Sequence, residues 1–288
     1  MQMCIRSVCL ITTKYIYDSI KQGMIKNELE KIKKELLNGF IDPIPNNAIK
    51  NFVLNGSKFI RSTLAIYYLR SQNCIISDDI YKILIATEII HNASLLHDDV
   101  IDEAEFRRNK TTLAKEFSPK ISILAGDYLL SYATKKILEI KNTEILELFI
   151  SCTTEMSYAE IKQYFASGKI PTKYEYLKIC KGKTASLFSA TLQACAILTN
   201  LDLKKAKNFA ELFGICFQIK NDLDTTSALE DKKNKIYTAK DILGIENTEL
   251  LLDNYKIELR EIIKNFSENN YKKGLEGLIN SLWLIKKN

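Results

Sequence analysis

The sequence predicts an all-α protein, a single-domain helical bundle, and three observations lead there. Apolar residues recur at three- and four-residue spacing along most of the 288 positions, with no sustained period-two alternation. Glycine and proline are scarce, ten and four respectively, whereas strand-rich domains need many tight turns. A hydrophobic content of 46% supplies a core for one large domain.

The first helix is expected over 15–39, where the helical spacing runs until Gly39; residues 1–14 read as an N-terminal extension and 15–288 as the domain. Residues 41–51, IDPIPNNAIKN, form a proline-containing connection. Helical patterns then follow over 58–72, 77–105, 120–140, 143–167, 173–198, 203–223, 246–266 and 269–286. Short polar or glycine- and proline-bearing stretches separate them: SQNCIISDD, SPK, KNT, SGKIPTK and TNLD. The polar segment TTSALEDKKNKIYT, around 225–240, is the longest irregular connection. No run reads as a strand ladder and no short repeat emerges.

Composition narrows the function classes. Forty-one basic against 35 acidic residues leave a formal charge of +6, dispersed with no dense basic block. Nucleic acid is therefore not expected as a partner, whereas small anionic substrates fit. The seven cysteines form no CxxC pair and sit mostly in apolar helical contexts, as free thiols of a reducing compartment do. No apolar run approaches the ~20 residues of a spanning helix. The opening MQMCIRSVCLITTKYIY is too broken for a signal peptide, so a cytoplasmic location is expected.

One stretch breaks the apolar rule. Residues 91–108, HNASLLHDDVIDEAEFRR, hold both histidines, a DDxxD cluster and a closing arginine pair. Asp98 and Asp102, four apart, project from one helical face, with His91 two turns earlier on nearly the same face. Leu95, Leu96, Val100 and Ile101 make the flanks apolar. Carboxylates so placed repel one another and lose hydration, which is costly without a cation. Oxygen-only donors suit Mg²⁺, which commonly bridges carboxylates to a substrate phosphate. His97 falls on another face and reads as structural rather than ligating. A bare DDxxD is as readily an exposed helix end paired with Arg107 and Arg108, so the rest of the chain has to decide.

It offers more of the same chemistry. NGSKFIRSTL carries Lys58 and Arg61 just after a glycine-containing turn, and KGKTASLF places Lys183 and Thr184 on a helix. FQIKNDLD brings a second acidic cluster to an otherwise apolar helix. Together these supply two acidic faces and five cations, which is what holding two diphosphates through metal ions requires.

In this order the segments resemble the trans-polyprenyl diphosphate synthases, the head-to-tail prenyltransferase family. GSKFIR is similar to that family's GGKRxRP, and EIIHNASLLHDDVIDEAEFRR to its first aspartate-rich motif. LAGDYLLSYA, YLKICKGKTASLF and FGICFQIKND continue the series, so the resemblance spans roughly residues 25–240. It implies the isoprenoid synthase fold around a central cavity, and a Mg²⁺-dependent condensation of isopentenyl diphosphate with an allylic diphosphate. Carried over, Asp98 and Asp102 ligate Mg²⁺ with Asp99 in support, and Asn221 and Asp222 form the second metal side. Arg107, Lys183 and the metals grip the allylic diphosphate, while Lys58, Arg61, His91 and Arg108 hold isopentenyl diphosphate. Thr184 and Gln218 line the site, and no protein general base is assigned because the released diphosphate accepts the proton.

Two departures from the family pattern stand out. Without a gap, Asn221 and Thr225 occupy the places of two aspartates in the second cluster, and with one residue deleted Asp224 serves as the third; weaker metal binding is expected on that side. Lys235 stands where the family has glycine before Ile-Tyr-Thr; it either reaches a diphosphate or is a solvated loop lysine. These losses keep two alternatives open, a non-catalytic partner subunit of a heteromeric synthase and a class I terpene cyclase.

Ala93 and Ser94, at the fifth and fourth positions before Asp98, are small where short-chain members carry an aromatic floor. An open tunnel and a product of C20 or longer, a quinone side-chain precursor, are expected. A homodimer is expected from the family, with at most transient membrane contact at product release.

Overall fold

The computed structural model describes residues 23–38, 48–54, 57–108, 110–223 and 236–282. The expected extension 1–14, the first turns of the 15–39 helix, Asp224, Lys235 and the end of the last helix lie outside the described residues. What is described is helical almost throughout. In order the helices are α1 (Lys26–Asn38), α2 (Ala48–Leu54), α3 (Ile60–Arg70) and α4 (Asp78–Ile101). A two-stranded hairpin, β1 (Phe106–Arg107) and β2 (Lys110–Thr111), precedes α5 (Leu113–Glu116), α6 (Pro119–Leu138), α7 (Thr143–Ala166) and α8 (Lys173–Cys180). A π-helical turn (Lys181–Ala185) leads into α9 (Ser186–Thr199) and α10 (Leu203–Leu223), followed by α11 (Ala239–Leu243), α12 (Ile245–Ile263) and α13 (Asn270–Ser281).

Local chemistry sets these boundaries. Ser77 caps α4 through the Ile80 amide, with Asp78 and Asp79 in the first turn where the helix dipole favours anions. Ser118 caps α6 ahead of Pro119, whose fixed φ and missing N–H suit a first turn. Thr172 and Glu175 close a reciprocal capping box on α8. Asn200 ends α9 in the left-handed conformation, with φ 54°.

Two helices form the middle of the bundle. Every residue of α9 from Ser186 to Ala196 is buried, as expected for a helix apolar on all sides. It packs against α4, α7 and α10, while α4 lies along α6 over much of its length. One contiguous apolar cluster fills the interior, reaching from Ile25 to Leu282. Among the described residues, no helix is long and apolar enough to cross a membrane.

Several local expectations give way. The helix expected over 77–105 stops at Ile101, and the chain turns through Glu103 and Arg108, both at positive φ, into the hairpin. Phe106 pairs with Thr111 and Arg107 with Lys110, so a small strand ladder exists where none was expected. The single helix expected over 173–198 is interrupted by the π-turn, which widens the backbone by one residue at KGKTA. The connection at 41–51 already starts α2 at Ala48, and the polar segment near 240 contains α11, closed by a Thr238–Asp241 capping box.

Candidate active site

The last two turns of α4 carry the first acidic cluster to a cavity. Asp98 lines a space of about 250 Å³ with Ile90, Ser94, Ile101, Leu130, Met156, Glu160 and Lys183. Asp102, at the C-cap of α4, lines a smaller space of about 120 Å³ with Lys183, Thr184, Gln218 and Asp222. Lys183 borders both spaces, so its ammonium stands where they adjoin. The structure thus brings together helices far apart in sequence: α4, α7, the π-turn and α10.

The electrostatics show carboxylates held against their preference. Burial pushes the Asp98 carboxyl up to about 6; Glu160 and Asp102 add repulsion, while Lys183 and Arg107 partly offset it. Lys183 donates to Glu160 Oε2 at 2.5 Å and to Gln163 Oε1 at 3.1 Å. Burial alone would lower its pKa, but Asp98 and Glu160 outweigh that and raise it. Glu160 and Gln163 were not singled out from the sequence. Their signal was available, because they stand three apart on the same face of α7 as Met156, but charged residues on an amphipathic helix are usually solvated.

Not every residue of the first cluster faces the cavity. Asp99 is fully buried, and its Oδ1 accepts from Arg107 Nε. This placement does not fit Asp99 as a metal ligand: one residue off the Asp98–Asp102 face, it turns inward, and its charge is balanced by arginine. Arg107 is correspondingly the anchor that folds the hairpin back onto α4, with its Nε engaged there instead of directed at a diphosphate. His97 lies over Gly126, with Nε2 at 3.3 Å from both Ile123 O and Asp127 Oδ1. It is a contact between α4 and α6, in keeping with the structural reading.

The second cluster differs more. Asp222 is buried and both oxygens are engaged. Oδ2 accepts from the Tyr176 hydroxyl at 2.5 Å and the Ala239 amide at 3.2 Å, and Oδ1 from Gln218 Nε2 at 2.8 Å. Gln218 Oε1 in turn accepts from the Thr184 hydroxyl at 2.8 Å. Asp222 therefore ties α8, α10 and α11 together while lining the same space as Asp102. Thr184 and Gln218 line the site as expected. Asn221 is half-buried on the last turn of α10.

A cationic group lies at the other end. Arg61 is buried with its guanidinium 4.8 Å from the Phe188 ring, and its Nε has no hydrogen-bond partner. Burial, only partly countered by Glu88, lowers its pKa to about 10. His91 is held well below its usual value, first by burial and then by Arg61, Arg108 and Arg107. Arg108 donates to Ser57 Oγ at 3.3 Å, and Lys58 is partly buried just before Phe59. Several arginines around His91, one with an orphaned buried N–H, form a cationic cluster suited to a multiply charged anion.

The chain-length residues separate. Ser94 lines the larger cavity, whereas Ala93 is fully buried in helix packing and does not line it. His97 also borders that cavity, and none of its lining residues is Phe, Tyr or Trp.

Among the described residues no three His, Cys, Asp or Glu side chains converge as a ready cage. Asp98 and Asp102 offer a pair of oxygen donors beside a lysine, and a hard cation completed by phosphate and water matches such a pair. The residues fit Mg²⁺ in that manner.

With this geometry in hand, relatives can be compared. Residues 42–277 match the polyprenyl synthetase family. The chain belongs to this family. A prenyl transferase of Cyanophora paradoxa is 34% identical over 216 residues, 72% of this chain and 67% of the relative. A short chain isoprenyl diphosphate synthase of Methanocaldococcus jannaschii is 29% identical over 283 residues, 91% of this chain and 84% of the relative. The heptaprenyl diphosphate synthase structure from Staphylococcus aureus superposes with a TM-score of 0.84 at 22% identity, covering 90% of this chain and 98% of that one. This polyprenyl synthetase is thus an all-helical prenyltransferase, a polyprenyl diphosphate synthase, with relatives that make both short and long chains.

Proposed function

We propose that this synthase condenses isopentenyl diphosphate with an allylic diphosphate, in a Mg²⁺-dependent reaction, to give an all-trans polyprenyl diphosphate of C20 or longer. The supporting observation is the junction at Lys183: acidic cluster, ammonium and a largely apolar cavity without Phe, Tyr or Trp meet there. A geranyltransferase of Helicobacter pylori has been solved with magnesium and isoprenyl diphosphate.

The residues divide the work by charge. Asp98 and Asp102 would hold Mg²⁺, which supplies charge neutralisation to a departing diphosphate. Lys183 and Thr184 grip the allylic diphosphate as its C–O bond breaks, and Lys183 stabilises the negative charge that collects there. Arg61, His91, Lys58 and Arg108 hold isopentenyl diphosphate with its double bond toward the allylic carbon. A carbon–carbon bond forms, and the proton lost from the adjacent carbon passes to the released diphosphate. Ile90, Leu130 and Met156 keep water from the allylic cation and receive the growing chain.

An apolar stripe on α7, Ile150, Tyr158, Ile161 and Phe165, is exposed at eight-, three- and four-residue spacing, which supports a homodimer through that face. Incubating the purified chain alone with Mg²⁺, isopentenyl diphosphate and several allylic primers tests the proposal. Diphosphates of C20 or longer support it; a hydrocarbon product means a cyclase, and activity only with a second subunit means a partner chain.

A further inference from the structure

We infer that Glu88 is a positioning residue for the isopentenyl diphosphate site, acting as the missing cap of α3 and so fixing where Arg61 and Lys58 point. The inference rests on the synthase reading for the identity of the anion, and on the following geometry for the role of Glu88.

Helix α3 starts badly on its own. Its N-cap residue, Phe59, has φ 49° and no side chain able to accept from the first-turn amides. A helix normally meets its exposed N–H groups with Ser, Thr, Asp or Asn at that position. Here the acceptor comes from another helix. Glu88, three residues before His91 on α4, is 2% exposed, and its Oε1 accepts from the Ser62 amide at 3.1 Å and the Ser62 hydroxyl at 2.6 Å. Ser62 is the third residue of α3, whose amide ordinarily donates to the side chain of the N-cap residue. The carboxylate also sits at the positive end of the helix dipole, which favours an anion.

What this cap controls lies within one residue of it. Arg61 precedes Ser62, is 6% exposed and keeps an unpartnered Nε, so its direction is set by the backbone of the first turn and by the Phe188 ring at 4.8 Å. Lys58 precedes the left-handed Phe59 and leaves the helix from the same fixed point. Because α4 also carries His91, the Glu88–Ser62 contact locks the two halves of one anion pocket in register. The mechanism given above has no other use for Glu88, and a buried carboxylate beside arginines that await a diphosphate would otherwise oppose binding.

This separates two roles with opposite signs. If Glu88 acts as a cap, glutamine keeps the accepting Oε1 and removes only the charge, so anion binding is kept or tightened. If it acts as a counter-ion that holds Arg61, glutamine fails as leucine does. The test measures isopentenyl diphosphate binding by calorimetry, KM for both substrates and thermal midpoints in wild type, Glu88→Gln, Glu88→Leu and Ser62→Ala. Glu88→Leu should weaken isopentenyl diphosphate binding about tenfold or more, with the allylic KM within about twofold. Glu88→Gln should stay within about threefold of wild type or bind more tightly, and Ser62→Ala should lose a few-fold; these two carry the test if the leucine variant does not fold. Glutamine as weak as leucine, or equal losses for both substrates tracking the thermal midpoint, overturns the inference. A wild type that binds isopentenyl diphosphate but elongates nothing sinks the synthase reading while the affinities still judge Glu88. A wild type that does not bind it overturns both.

Discussion

Replacing Asp98 by asparagine should abolish activity and make the metal-free protein more stable. In the unfolded chain this carboxyl ionises near its ordinary 3.8, whereas burial beside Glu160 and Asp102 pushes it up to about 6 in the folded protein. Between those values the folded state binds more protons, so stability falls as pH rises, and the penalty is complete above the folded value. The displacement corresponds to about 3 kcal/mol at neutral pH. Part of the gain is lost, because Lys183 gives up one carboxylate neighbour while keeping Glu160 and Gln163. A net gain of about 1–2 kcal/mol is expected, and at 2–4 °C per kcal/mol for a domain of this size the midpoint should rise about 3–6 °C. The assay is thermal unfolding of wild type and Asp98→Asn with a chelator, at about pH 7.5 and again at about pH 5. The advantage should be full at the higher pH and shrink at the lower one, where wild-type Asp98 is protonated. An asparagine variant no more stable at the higher pH, or equally favoured at both, refutes the reasoning.

Tyr176→Phe takes one of three donors from the buried Asp222 carboxylate, so a loss of about 1–3 kcal/mol is expected in urea unfolding. A Cβ added at Gly214 would stand 2.5 Å from Ala185 Cα, so Gly214→Ala must push α10 off the π-turn that carries Lys183 and Thr184. That overpacking should cost about 1–3 kcal/mol and raise the allylic KM; an unchanged KM in a folded variant contradicts it. Ser94→Phe should shorten the product, read by chain-length analysis, since Ser94 lines the cavity. Ala93→Phe, aimed into packed helix, should destabilise by about 1–3 kcal/mol without a comparable shortening.

Much of the fold was legible because helix boundaries are written locally. Ser77, Ser118, Asn142 and Thr172 cap the helices they precede. The hairpin at 106–111 was not legible: the helical pattern reads to Glu105, no strand alternation follows it, and the contact of Arg107 with Asp99 exists only in the folded chain. The π-turn at KGKTA was equally hidden, since a one-residue widening leaves no periodic trace over five residues. At the site, Asp98, Asp102, Lys183, Thr184 and Gln218 were legible and meet at adjoining cavities. Glu160 and Glu88 were not, because their neighbours come from helices distant in sequence.

The sequence by itself determined the all-α class, the order of the helices and the ordered motifs that mark a polyprenyl diphosphate synthase. Spacing and capping are properties of consecutive residues, so they can be read without the fold. Only the tertiary structure decided which acidic residues are exposed to chemistry and which hold the bundle. Asp98 and Asp99 are adjacent and chemically identical, yet one lines the cavity and the other is sealed on Arg107. Asp222, read from the sequence only as part of the second acidic cluster, also braces the bundle, because Tyr176, Gln218 and Ala239 converge on it. The physical reason is the same in each case: a carboxylate's role is set by which donors reach it, and those donors arrive through packing.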